Sequence, residues 1–315
     1  MKRFILILII LTTGITAQAQ QPGEFKFGIK AGLNFATFAS PSERSATDEK
    51  LESNSIVTRF MLGPTLRYAL TDMNGFILEV QYSQKGGNYD YVGDSYWLVE
   101  DFTSEPLYFE GNSSIALNIN NGYIDIPVMY YQSVNDNVSF YGGGYVGFLL
   151  NSTGAGTRTF NADSRQLGFG GNVVDLRPFS IELDHNYKSD IHRDSTIYVP
   201  QPIYDDNDTS ISSDDERIPD FFAPAKVGAY YDYEERKGDF YKSIDAGIIA
   251  GVDYKFDSGL GIGLRANYGL IDITNDVYDY SKVSTVDPAN NDYTRILRSD
   301  KDRNLVFQLY IGFEL

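Results

Sequence analysis

Residues 243–273 read SIDAGIIAGVDYKFDSGLGIGLRANYGLIDI, and their alternation constrains the chain more than any other feature. Ile244, Ala246, Ile248, Ala250, Val252, Tyr254 and Phe256, then Leu260, Ile262, Leu264, Ala266, Tyr268 and Leu270 form one face. Asp245, Gly247, Gly251, Asp253 and Lys255, then Gly261, Gly263, Arg265, Asn267 and Gly269 form the other. Period 2 on both sides of Asp257-Ser258-Gly259 predicts two strands joined by a tight hairpin. Each arm is about 13 residues, against about 5–6 for a soluble strand. A charge-free face backed by glycine, asparagine and ions of both signs suits a strand with lipid outside and a polar lumen inside.

Six further runs repeat the pattern. They cover residues 25–37, 56–70, 76–85, 119–134, 138–150 and 304–315. Links 71–75, 135–137 and 257–259 are short, whereas 40–55, 86–118, 151–242 and 274–303 are long. Short turns at one end and long loops at the other predict an all-β, transmembrane, antiparallel up-and-down β-barrel of eight strands with long extracellular loops. Ten strands is the alternative, should the insertion at about 151–242 add two. A soluble sandwich would want shorter strands and no such asymmetry.

The first 19 residues read as a secretory signal peptide: Lys2 and Arg3, an apolar stretch at 4–11, then Ala17-Gln18-Ala19 as the cleavage site. Residues 20–315 then form the barrel domain. Without cysteine the chain has neither disulfides nor thiolate metal sites, and a formal charge of −17 argues against nucleic acid as a partner. Outer-membrane lipid is the expected partner of the apolar face. Leu305, Phe307, Leu309, Ile311, Phe313 and Leu315 in the closing strand resemble the C-terminal signal read by the barrel insertion machinery, with leucine at the end instead of the usual aromatic residue.

The inward-facing charges are Lys30, Arg59, Arg67, Glu79, Lys85, Asp125, Asp245, Asp253 and Arg265. Both signs occur, so a neutralised structural network is the expectation, with Arg67 opposite Glu79 across the second hairpin. A narrow ion path is the alternative. In the loops, Tyr89, Tyr91, Tyr96, Trp97, Phe102, Tyr108 and Phe109 suit a contact surface, and equally a girdle or packing within the loops. The acidic run from Asp205 to Glu216 lacks the glycine and closing glutamate of an EF-hand and reads as a solvated tip. His185 and His192, flanked by Asp184, Asp190, Asp194 and Ser195, are the only candidates for loop-based hydrolysis, and no nucleophile is specified. No catalytic, metal or cofactor site is expected.

The run from Tyr123 to Tyr131 with Asp125 and Pro127, the glycine strand around Gly142–Gly144, Asp245-Ala246-Gly247 with Gly251, and Tyr268-Gly269-Leu270-Ile271-Asp272-Ile273 occur in an order that resembles the PorT-like outer-membrane β-barrel domain common in Bacteroidota. That resemblance implies a barrel in the outer membrane and, from some named members, a part in envelope or secretion-system assembly. It implies no substrate. The insertion before residue 243 is larger than the resemblance leads one to expect.

Overall fold

The computed structural model describes residues 22–99, 107–163, 165–166, 173–174, 178–191, 197–202, 222–233, 236–283, 285–287, 292–298 and 300–314. The stretch expected to be a signal peptide, the acidic run, Phe102, His192, Asp194 and Ser195 lie outside them. The main strands are β1 (Phe25–Phe38), β2 (Val57–Thr71), β3 (Asn74–Glu79), β4 (Gln81–Val99), β5 (Leu107–Ser133), β6 (Val138–Ala162), β7 (Phe179–Asn186), β8 (Phe222–Val227), β9 (Ile244–Lys255), β10 (Leu260–Gly269) and β11 (Asn304–Glu314). β3 and β4 are interrupted only at Val80 and occupy one position in the sheet.

The antiparallel pairings run from β1 to β2, β3–β4, β5, β6, β9, β10 and β11, and β11 pairs again with β1. β7 and β8 stand apart from this succession. β6 pairs directly with β9 over Val138–Phe148, and only its upper part, Thr153–Phe160, turns to β7.

The periodicity follows from what each face meets. Ile248, Leu264 and Phe307 are 53%, 56% and 47% exposed on the outer face, whereas Asp245, Lys85 and Asn304 are fully buried inside. Inward glycines make room for rings: a Cβ at Gly247, Gly251 or Gly263 would collide with Tyr145, Tyr141 or Tyr310, each its direct cross-strand partner. Gly259, at φ +81°, closes the β9–β10 hairpin, its amide donating to the Phe256 carbonyl at 3.0 Å.

Two expectations need correction. The second hairpin is tighter than the five-residue link suggests, because Thr71 pairs with Asn74 and only Asp72 and Met73 turn. With the register shift between Ala69 and Thr71 added, Arg67 faces Ile77, and Glu79 faces Thr65. The segment 86–118, expected to be a loop, is mostly strand, since β4 and β5 stay paired from Gln81–Asp125 up to Val99–Leu107.

Period 2 persists in these extensions with its polarity reversed. On β6 the outer face changes from Phe140, Val146, Phe148 and Leu150 to Asn151, Thr153, Thr157, Thr159 and Asn161. On β5 the exposed positions become Glu110, Asn112, Ser114 and Asn118, while Phe109, Ile115 and Ile119 turn inward. The change falls at the irregularity between Gly122 and Tyr123, level with Leu149–Asn151. Below that level the sheet is greasy outside; above it, the sheet is built as for water.

Leu264→Arg, in mid-strand on the lower outer face, is expected to cost about 2–4 kcal/mol of folding stability in lipid vesicles. Thr157→Arg, on the outer face above the boundary, should stay within about 0.5 kcal/mol. Urea titration of vesicle-embedded protein measures both.

Candidate functional site

Two ionic layers cross the lumen. In the lower one, Glu79 on β3 receives Lys30 Nζ at 2.8 Å and Arg265 Nη1 at 2.7 Å. β10, which carries Arg265, lies four pairings from β3 in either direction round the succession, so this ion pair spans the full width. Arg265 Nη2 also donates to Gln81 Oε1 at 2.6 Å, and Gln308 Nε2 donates to Asn34 Oδ1 at 2.6 Å. Nearer the turns, Asp253 lies 3.7 Å from Lys30 and 3.9 Å from Arg67, and Glu314 is 3.5 Å from Arg67.

In the upper layer Lys85 is fully buried and bridges Asp125 on β5 at 2.9 Å and Asp245 on β9 at 2.8 Å. Tyr145 and Asn304 donate to the same Asp245 oxygen at 3.1 and 2.9 Å. The Lys85 ammonium also sits 4.4 and 4.6 Å from the ring centroids of Tyr145 and Tyr123. Eight of the nine inward charges therefore take part in ion pairs. The ninth, Arg59, stands half-buried at the upper end and donates to Asn118 Oδ1 at 2.6 Å and the Ile119 carbonyl at 3.2 Å. The amides Asn34, Gln81, Gln308 and Asn304, and the tyrosines, complete the packing. Parity in the sequence marks them as inward; charge does not.

Above the lumen the strand extensions and segments 228–233, 236–243 and 270–283 line a partly open chamber of about 160 Å³. Its walls include Trp97, Leu183, His185, Tyr187, Tyr231, Tyr241 and Tyr278, and Phe38 and Ile119 line it near Tyr123. Tyr91, Trp97 and Phe109 are 0%, 1% and 0% exposed. They form an interior here, as in the loop-packing alternative and unlike a contact surface: the extended hairpin turns their face inward. Trp97 stacks on Tyr231 at 5.3 Å and meets the Arg158 guanidinium at 4.4 Å.

His185 Nδ1 lies 3.0 Å from the Tyr187 hydroxyl, and burial lowers the imidazole to about 4, so it is neutral at ordinary pH. Asp184, its neighbour in the strand, points to the opposite face and pairs with Lys226. Asp190 accepts from the amides of Asn186 and Ala229, both at 2.8 Å. Neither carboxylate is seen to orient the imidazole. Among the described residues no cluster of three metal-ligating side chains is present.

A charged latch joins two of the long connections. Arg298 meets Glu52 at 2.7 Å, Glu43 and Asp279 at 4.0 Å each, and Asp300. Burial first, then the charges of Asp300 and Asp302, raise Asp279 to about 7. An acid with a raised folded value binds its proton more tightly when folded. Its contribution to stability is therefore lost progressively as pH rises from 3.8 towards about 7.

Lys85→Met, which strands two buried carboxylates, is expected to destabilise the protein by about 3–5 kcal/mol in urea unfolding. Asp279→Asn mimics the protonated acid. Above pH 7 it should slow proteolysis of the cap relative to the parent protein, and the difference should vanish near pH 4.

Comparison with known proteins adds the family. Residues 16–275 match the model of the outer membrane protein beta-barrel domain. Similar solved structures include Ail, the attachment invasion locus protein of Yersinia pestis, at 11% identity, covering 94% of this chain and all of that one, with a TM-score of 0.32. Neisserial surface protein A matches at 10% identity over 92% and 97% of the two chains, with a TM-score of 0.32. OprG from Pseudomonas aeruginosa matches at 13% identity over 95% and 99%, also with a TM-score of 0.32. No curated protein matches the sequence. The matched family model covers most of the chain, including all the strands from β1 to β10, and the chain belongs to the outer membrane protein beta-barrel domain family, whose place is the bacterial outer membrane.

Proposed function

We propose that the protein is a closed eight-stranded barrel that does not conduct, and that it anchors an extracellular cap whose role is to bind a partner. The observation that carries this reading is the Arg265–Glu79 pair, which joins opposite sides of the lumen at 2.7 Å. Eight strands enclose a bore that side chains can fill, whereas open channels need about 16. Two ionic layers and the rings of Tyr141, Tyr145 and Tyr310 occupy this one. An ion path would have to break charge pairs whose members are costly to leave alone in a low dielectric.

The elements with room for a ligand lie above the polarity change, so recognition is assigned to the cap and not to the barrel. The order of motifs around Asp125, Gly142–Gly144, Gly251 and Asp272 supports a PorT-like member, and with it a non-enzymatic role in envelope or secretion assembly. The closing alternation from Leu305 to Leu315 is the segment proposed to be handed to the insertion machinery.

Purified protein in planar bilayers tests the reading. Electrical silence is expected. Steady single-channel conductance would overturn the plug and favour a small porin-like conduit.

A further inference from the structure

We propose that the chamber in the cap binds a small aromatic carboxylate that also carries an N–H donor, with the carboxylate at Lys282 and Trp97 and the donor at Asp232. The inference deepens the cap-binding reading above and rests on it.

The argument starts from polar atoms left without partners. Trp97 is 1% exposed, yet its indole Nε1–H has no hydrogen-bond acceptor. Asp232 offers the complement: Oδ2 lies 3.7 Å from Arg158, while Oδ1 is buried and unpartnered. Both residues line the chamber. Buried polar groups are normally satisfied, so an orphan donor and an orphan acceptor on two residues that line one cavity call for a molecule that supplies both partners.

Lys282 gives the molecule its charge. It lines the same chamber, and no ion pair among the described residues reaches its ammonium. Its backbone is already engaged, since its amide donates to Glu43 at 3.2 Å and its carbonyl accepts from Ser95 at 3.0 Å. Arg298 is neutralised by the acidic latch, but Arg158 has one carboxylate at 3.7 Å and Lys282 has none that close. Burial depresses the Lys282 ammonium; the charge of Asp232 offsets part of that, and the guanidinium of Arg158 adds to it.

The walls specify the remainder. Tyr187, Tyr231, Tyr241 and Tyr278 present ring edges and faces, and about 160 Å³ suits one ring on a short chain. A carboxylate accepts from Lys282 and Trp97, an ammonium or amide N–H donates to Asp232, and a phenyl or phenol group fills the aromatic part. A free aromatic amino acid and a small conjugate of one share this chemistry.

Trp97 is the only tryptophan in the chain, so its emission reports on the chamber directly. Full-length protein in detergent would be titrated with L-phenylalanine, phenylalaninamide and hydrocinnamate, with excitation beyond tyrosine absorption. L-Phenylalanine should change Trp97 emission saturably. Phenylalaninamide, lacking the carboxylate, and hydrocinnamate, lacking the donor, should each bind at least about tenfold more weakly. Lys282→Met should erase the preference over the amide, and Asp232→Asn should erase the preference over hydrocinnamate. The proposal is overturned if no probe gives a saturable change, or if the amide binds as tightly as the amino acid. The wild-type series decides the matter even if a variant fails to fold. A barrel silent in bilayers that binds none of the three probes would remove this site and leave the anchor reading standing.

Discussion

In hydrocarbon a strand has no water to satisfy its backbone, so each amide and carbonyl must be met by a neighbouring strand. The return of the pairing from β11 to β1, in register from Gly28–Glu314 to Phe38–Asn304, meets that demand. An open edge at either strand would leave a row of unsatisfied groups in lipid. Everything else is hung on this circuit: it sends one set of side chains outward and turns the other set inward.

The enclosed charges follow from that confinement. Lys85, Asp125 and Asp245 are each too deep to be solvated, and a lone ion there would cost several kcal/mol. A cation between two carboxylates, backed by Tyr145 and Asn304, is tolerable because every charge has opposite charge or a hydrogen-bond donor within reach. Glycine contributes by what it leaves out. Gly247, Gly251 and Gly263 vacate the inner surface where Tyr145, Tyr141 and Tyr310 lie across it, so the rings fill the bore without forcing the strands apart.

The solvent outside the sheet changes partway up, and the side chains change with it. Phe148 and Leu150 face out where lipid ends; Thr153 and Thr157 face out a few residues further along the same strand. Inside, the order is reversed, from Lys85 and Asp125 to Trp97, Phe109 and Phe160. The cap is thus a water-soluble β structure with an apolar interior, continuous with a membrane structure that has a polar one. That interior leaves room for the chamber, which brings Trp97, Lys282 and Asp232 together from distant parts of the chain.

Parity is a local property, and so the sequence alone determined which residues face lipid and which face the lumen. Ile248, Leu264 and Phe307 lie outside, and Lys30, Glu79 and Arg265 inside, as alternation requires. It also showed where the strands turn at Asn135–Asn137 and Asp257–Gly259. Alternation with apolar residues outward ends at the polarity change, near Leu150 and Ile119, although the strands continue. Which ions meet was decided only by tertiary structure, because the contact of Glu79 with Arg265 depends on stagger accumulated over four pairings. A shift of two residues, one from the Asp72–Met73 turn and one from the irregularity between Ala69 and Thr71, was enough to separate Arg67 from Glu79. Folding likewise decided that Tyr91, Trp97 and Phe109 are walls and not an outer surface, since their burial depends on partners as far along the chain as Tyr231.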